Sequence, residues 1–235
     1  MSISTSFLGP LLDALDGDGV IVVPCPVGYV AAASSAAGVD RIFELKGRHR
    51  SRPLSLAGSA VHEGRRYLRE LAGLTDSALS RLSATMGLVG TRRVGAPPTP
   101  DGVGTTKSLA VFVGLGPIVD AVVLRQRAAG RSLYVTSANA SGAGNAALAS
   151  QLPRALKGEG VTALIDDTRI AQGQRRLRPA PASPMVRLGP QPTLIRGGAE
   201  QGLVLEQLAM AGLTDAFSGC LSSIEGAFIS ERGPS

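Results

Sequence analysis

The run KGRHRSRPL at residues 46–54 gathers Lys46, Arg48, Arg50 and Arg52 around His49, in a chain whose only other lysines are Lys107 and Lys157. If a helix over 35–45 ends at Gly47 and the chain continues extended, Lys46 and Arg48 stand two residues apart and project to the same side. An ammonium is a compact point charge, and a guanidinium is a planar fork that grips two oxygens of a carboxylate, carbonate or phosphate. Together they would clamp a small anion. Cations at a helix C-terminus also suit the helix dipole with no ligand at all, so the run alone leaves both readings open.

A second candidate is YVTSANASG at residues 134–142, a strand running into hydroxyl and carboxamide residues. Ser137 and Asn139 are again two apart, and Gly142 permits close approach of backbone to a ligand. An ordinary Asn and Ser turn accounts for the same residues. Other patterns carry less. VFVGLGPIVD (111–120) puts Gly114 and Gly116 after a strand, but Val119 stands where a dinucleotide fingerprint needs glycine, so it reads as a strand-to-helix turn with Pro117 at the first helical position. His49 and His62, the only histidines, have no partner at metal-ligand spacing, and no nucleophile-elbow sequence presents a serine.

The elements that must position these residues alternate between strand and helix, which predicts an α/β sheet with helices packed on it. GVIVVP (19–24), PLSLAG (53–58), SLAVFVG (108–114) and SLYVTSA (132–138) read as strands. Helices are expected over 35–45, over 60–72 with Val61, Leu68 and Leu71 on one side, from about Pro117 to Ala129, and over 145–158 despite Pro153. Residues 161–166, 184–188 and 192–196 look extended, 95–106 is a Pro- and Gly-dense loop, and 178–184 is an extended, irregular loop. At 235 residues with 44% hydrophobic content, the chain suits one large domain, and disorder is not expected for most of it. Cys25 and Cys220 make no disulfide framework, the first residues lack a signal-peptide pattern, and no apolar run could span a membrane; a reduced, cytoplasmic setting is expected. The net charge of +6 permits an anionic partner.

A helix ending in Lys46-Gly47-Arg48, followed by Arg52-Pro53-Leu54 and, about ninety residues later, a strand ending in TSANxSG, resembles the paired signature of the YrdC/Sua5 family of threonylcarbamoyl-adenylate synthases. GVIVVP is similar to that family's first strand, and TLIRGGA (193–199) to its closing strand and turn, so the resemblance covers roughly residues 10–205. It implies a YrdC-like fold: an open, twisted, mixed α/β sheet with flanking helices and a concave basic groove, formed by residues 1–211, with 212–235 as a tail or flap. Family members join ATP, bicarbonate and L-threonine into threonylcarbamoyl-AMP and pyrophosphate for tRNA modification, with Mg2+ accompanying the nucleotide. Carried over by position, Lys46, Arg48, Ser137 and Asn139 would hold the carbamate or nucleotide phosphate. Cys25, Tyr29, Arg52, Thr136, Ser141, Ser183 and Arg196 would contact substrate and nucleotide.

The departures from that family are grouped. Its PTDTVYGL segment is Pro24 to Ala31 here, keeping the proline and Tyr29; the arginine of its VAVRVP strand is Phe112; its STVVD element is Ser183 to Arg187; and SATMGLVG (83–90) replaces a Trp-Pro-Gly stretch. The anion-handling residues remain while the amino-acid side turns apolar, which implies a divergent member with another acceptor or without catalysis. Two alternatives follow: an enzyme using carbamoyl phosphate and ATP, or a non-catalytic nucleotide- or RNA-binding module in which GRHRSR (47–52) and GQRRLR (173–178) track a phosphate backbone. With 3% aromatic residues and no Trp, base stacking has few platforms.

Overall fold

A computed structural model describes residues 7–140, 143–171 and 181–213. Its core is one nine-stranded mixed sheet in the order β7-β1-β2-β6-β3-β5-β4-β8-β9. The strands are β1 (Val20–Cys25), β2 (Gly28–Ala33), β3 (Ser55–Ala57), β4 (Met86–Thr91), β5 (Ser108–Val113), β6 (Leu133–Ser137), β7 (Val161–Ala163), β8 (Met185–Arg187) and β9 (Thr193–Arg196). The helices are α1 (Leu8–Asp16), α2 (Ala36–Lys46), α3 (Asp76–Ser80), α4 (Pro117–Ala128) and α5 (Gln201–Met210). The open mixed α/β architecture is the one the sequence pattern predicts.

β1 is buried at every position, which its Val and Ile run suits, since those residues fit a surface covered on both faces. Its Pro24 lies beyond the stretch paired with β7, which ends at Val22, so the missing N–H opens no gap in that ladder. Two strands were not expected. β2 contains Ala31, Ala32 and Ala33, residues with little strand preference, but pairing with β1 on one side and β6 on the other overrides propensity. β4 carries Gly87 and Gly90, residues that weaken strand preference; a Cβ on Gly87 would lie 3.0 Å from the Phe112 ring, so the glycine marks a close approach across the sheet.

Two expected helices are broken. Over 60–72 the chain forms a wide turn (Ala60–Gly64), one helical turn (Arg65–Tyr67) and a 3-10 turn (Arg69–Leu71), because Leu68 takes an extended backbone that lets Tyr67, Leu68 and Leu71 all enter the core. Residues 145–158 hold only two 3-10 turns, Ala149–Gln151 and Arg154–Lys157, with Pro153 between them, where a proline interrupts a helix ladder.

The two faces of the sheet are covered unequally. One face is buried throughout, against α2, the 60–82 segment and α5, in a cluster that includes Ile42, Leu56, Leu71, Leu88, Val111 and Leu208. On the other, α1 and α4 pack over β1, β7 and β6 through Leu11, Leu15, Ile118 and Val122. They stop there. β5 records the consequence: Leu109, Val111 and Val113 are buried while Ser108, Ala110 and Phe112 are only half-buried on the uncovered side.

Where α4 begins, Gly114 takes a φ of +66° and a Cβ there would meet the Ser83 carbonyl oxygen at 2.3 Å, so the GLG turn is a steric requirement of the strand-to-helix connection. Replacing Gly114 with Ala is therefore expected to lower the unfolding free energy by about 2 kcal/mol or more, measured by urea denaturation.

Candidate functional site

Helix α2 starts at an N-cap, Ser35, whose side chain accepts from Gly38 N. It ends in a Schellman motif: Gly47 is left-handed (φ 54°, ψ 37°), its N–H donates to Glu44 O at 3.0 Å, and Arg48 N–H donates to Phe43 O at 2.9 Å. This corrects the expected extended path. Lys46 is the last helical residue, and the left-handed glycine turns the chain so that Lys46 and Arg48 diverge instead of lying side by side.

Lys46 is 6% exposed, and its Nζ donates to Ser137 O, to Asn139 O at 2.6 Å and to Asn139 Oδ1 at 3.0 Å. Three donors meet three oxygens at the end of β6. Asn139 is buried too: its Oδ1 accepts from Ser137 Oγ at 2.5 Å, and its Nδ2 donates to Ala143 O and, at 3.0 Å, to Gly144 O. Ser137 and Asn139 thus do not share one extended edge; the chain folds back after Ser137 and the carboxamide braces the turn from inside. Burial, with a smaller contribution from the Arg48 charge, pushes the Lys46 pKa down to about 7.

Arg48 lines a cavity of about 150 Å³ on the part of the sheet face that no described helix covers. There Ser137, Thr136, Ser183 and Arg196 join it, together with Cys25 and Tyr29, so seven of the eleven sequence-predicted residues line one cavity. Arg48 is held by backbone carbonyls, Nε to Arg52 O at 2.6 Å and Nη2 to Pro53 O at 3.3 Å. Arg196 likewise gives Nε and Nη2 to Ser183 O, at 3.1 and 2.9 Å. Among the described residues no carboxylate lines the cavity and neither guanidinium forms an ion pair. Burial of the guanidinium ends lowers both pKa values from the usual one, with Arg52 adding to the effect on Arg48, yet arginine stays protonated. The result is a positive cavity whose charges are oriented and, among the described residues, not neutralised.

The other predicted residues fall differently. Lys46 and Asn139 do not line the cavity; they stand behind its Ser137 wall. Arg52 lines an adjoining depression of about 220 Å³ that shares Arg48, Pro53, Ser55 and Met185 with the cavity. Tyr29 edges the cavity, but its hydroxyl donates to Asp167 Oδ1 at 2.6 Å and accepts from Asp166 N at 3.1 Å; burial, then Asp167, pushes its pKa up. Burial pushes the Cys25 thiol up to about 12, so it is neither thiolate nor nucleophile at neutral pH. Ser141 lies outside the described residues, as do residues 173–178 of the second basic run.

Among the lining residues that sequence reasoning missed are Ser55, Asn145, Val27, Leu115 and Met185. Ser55 was within reach, since period-two alternation from Pro53 along the strand puts both on one face. Asn145 was not: it reaches the site by donating Nδ2 to Val27 O at 3.1 Å, across 118 positions of sequence.

Lys46→Met keeps the aliphatic volume and removes the donors, leaving buried oxygens of Ser137 and Asn139 without their partner; a loss of about 2–3 kcal/mol in urea denaturation is expected. Because the folded pKa of about 7 lies below the ordinary 10.5, the unfolded chain binds more protons above pH 7. Wild-type stability should therefore rise between pH 7 and pH 9, by at most about 1.4 kcal/mol per pH unit from this group, and the Met variant should lack that rise.

The chain is similar in fold to several solved structures. A hypothetical protein, smu.1377c from Streptococcus mutans UA159, superposes with a TM-score of 0.69 at 18% identity, covering 88% of this chain and 91% of that one. P. abyssi Sua5 complexed with L-threonine gives 0.62 at 19%, covering 84% of this chain and 56% of Sua5. Full-length HypF in its phosphate- and nucleotide-bound form gives 0.58 at 14%, covering 83% of this chain and 29% of HypF. No curated protein matches the chain. The model of the Sua5/YciO/YrdC family, described as telomere recombination, matches residues 13–196, a span that runs from within α1 to Arg196 and contains every residue lining the cavity. The protein belongs to the Sua5/YciO/YrdC family.

Proposed function

We propose that this protein forms a carbamoyl-adenylate from ATP, bicarbonate and an amine-bearing amino acid. The observation that carries the reading is the pair of guanidinium groups, Arg48 and Arg196, held by carbonyls in a cavity that no described carboxylate lines. Such a site attracts anions and needs no reorganisation to hold them. The similar structures support it: one Sua5 structure contains L-threonine, and one HypF structure contains phosphate and nucleotide.

The chemistry asks for what the site offers. The amine adds to bicarbonate to give a carbamate and water. A carbamate oxygen then attacks the α-phosphorus of ATP, forming the mixed anhydride and releasing pyrophosphate. Carbamate and triphosphate repel one another, so the protein's task is to neutralise and align them. Arg48 lies where the cavity meets the adjoining depression, and both regions have access to it. In this reading the cavity takes the carbamate and the depression, with Arg52, takes the polyphosphate. Ser183 supplies a hydroxyl donor, and Ser137, whose own proton goes to Asn139 Oδ1, supplies an acceptor. Lys46 and Asn139 act as positioning residues that fix the Ser137 turn. Mg2+ would enter with the nucleotide; among the described residues no group of three or more His, Cys, Asp or Glu could hold a metal ion. Also among them, no helix is long and apolar enough to cross a membrane.

The test is to incubate the chain with ATP, Mg2+, labelled bicarbonate and a panel of amino acids, and to measure pyrophosphate and the labelled adenylate. Both products are expected, and Arg48→Ala should lower their formation about 100-fold with an unchanged melting temperature. Label arriving on AMP from carbamoyl phosphate, with no amino acid present, would replace this reading with the carbamoyl-phosphate one. ATP binding without either product would leave a non-catalytic module.

A further inference from the structure

Asn145 enters the cavity on a stretch of backbone pinned against the turn between β1 and β2. Tyr29 N–H donates to Ala146 O at 2.9 Å. Gly28 makes room for the approach, since a Cβ on it would lie 2.8 Å from the same carbonyl oxygen and 3.1 Å from Asn145 Cβ. The residue is 9% exposed, and its Nδ2 donates to Val27 O at 3.1 Å and to Pro181 O at 3.4 Å. Only the NH2 end of a carboxamide can donate to carbonyl oxygens, so these two contacts fix which way the amide faces. Oδ1 is left over. It has no hydrogen-bond partner among the described residues, and it is not one of the buried unpartnered side-chain atoms there, which are Arg65 Nε and Arg92 Nε; it opens onto the cavity that Asn145 lines. That oxygen differs in kind from the rest of the lining. Arg48 and Arg196 only donate, and the Tyr29 hydroxyl is committed to Asp167 and Asp166. Among the described lining residues Asn145 is the one side chain with a carbonyl oxygen, which accepts and cannot donate. Two guanidinium groups and one fixed acceptor suit a ligand that carries anionic oxygen and an N–H together.

We propose that Asn145 is a substrate-binding residue whose Oδ1 accepts a hydrogen bond from the α-nitrogen of the amino acid. This rests on the carbamoyl-adenylate reading above and adds to it the group that holds the nucleophile. The α-nitrogen keeps an N–H throughout: the amine has two, and the carbamate, formed from it and bicarbonate with release of water, has one. An oxygen that only accepts can follow the nitrogen from one species to the other while Arg48 and Arg196 hold the anionic oxygens. With one N–H tied to Oδ1, rotation about the Cα–N bond is limited and the lone pair keeps one direction toward the bicarbonate carbon, which is an orientation effect. The acceptor is also uncharged. A carboxylate in its place would favour the ammonium form, whose nitrogen has no lone pair to give, whereas a carboxamide accepts from the neutral amine without that bias.

L-Threonine and (R)-3-hydroxybutanoate differ only in the α-nitrogen, and their methyl and hydroxyl suit a lining in which Val30 stands opposite Ser137 and Val135 opposite Ser55. Ligand-observed NMR titration of the full chain with each, in the presence of α,β-methylene-ATP and Mg2+, tests the proposal without turnover. Threonine is expected to bind at least ~10-fold more tightly, and Asn145→Ala should shrink that ratio at least ~5-fold. General loosening of the cavity would weaken both ligands alike, so the ratio separates contact from structure. Failure of the carbamoyl-adenylate reading is separate: it is the absence of pyrophosphate and adenylate in the turnover assay, with the threonine preference and its loss in Asn145→Ala retained. No binding of threonine, equal affinities in the wild type, or an unchanged ratio in the folded variant would overturn the proposal. If the variant does not fold, the wild type still decides: the Asn145 side-chain carbonyl carbon-13 resonance is expected to move further with threonine than with hydroxybutanoate, and an equal or smaller movement would overturn the contact.

Discussion

The Nζ of Lys46, surrounded by Ser137 O, Asn139 O and Asn139 Oδ1, joins the end of α2 to the end of β6 across about ninety residues of sequence. The site's geometry follows from that contact. It holds the turn after β6 against the helix, which sets the direction of Ser137 into the cavity, while the Schellman closure at Gly47 sends Arg48 around to the same cavity from its other side. A buried ammonium is costly unless its donors are satisfied, and here they are satisfied by the very turn that forms the cavity wall.

The cavity exists because α1 and α4 cover only part of their sheet face. Their apolar stripes end over β1, β7 and β6, and beyond them the sheet presents Ser55, Phe112, Val89 and Met185 to a groove. Ligand sites in open α/β proteins favour such uncovered ground, since strand ends and turns converge there on a rigid base. Here the base is firm in a specific way: Phe112 rests over Gly87, where no side chain intervenes, and the opposite face of the same strands is buried throughout.

Within the groove the cations and the apolar residues differ in origin. The cations come from loops and strand ends anchored on backbone carbonyls, and the apolar wall is a continuation of the α1–α4 core. A wall that is also core can change its polarity only at a cost in stability. The charged side chains, by contrast, contribute little to the core.

Much of this was legible in the sequence for local reasons. The Val- and Ile-rich β1, Gly47 at the end of α2, and Pro117 at the start of α4 are decided by residues within a few positions of one another, where dihedral preference and hydrogen bonding act directly. The motifs KGR and TSANxSG likewise marked the family. Tertiary structure decided the rest. It made strands of the alanines in β2 and the glycines in β4, because pairing on both sides outweighs propensity, and it broke the 60–72 helix so that three large side chains could be buried together. It also separated Lys46 from Arg48 and recruited Ser55 and Asn145. Those outcomes depend on which distant groups meet in the folded chain, and spacing along one segment carries no record of them.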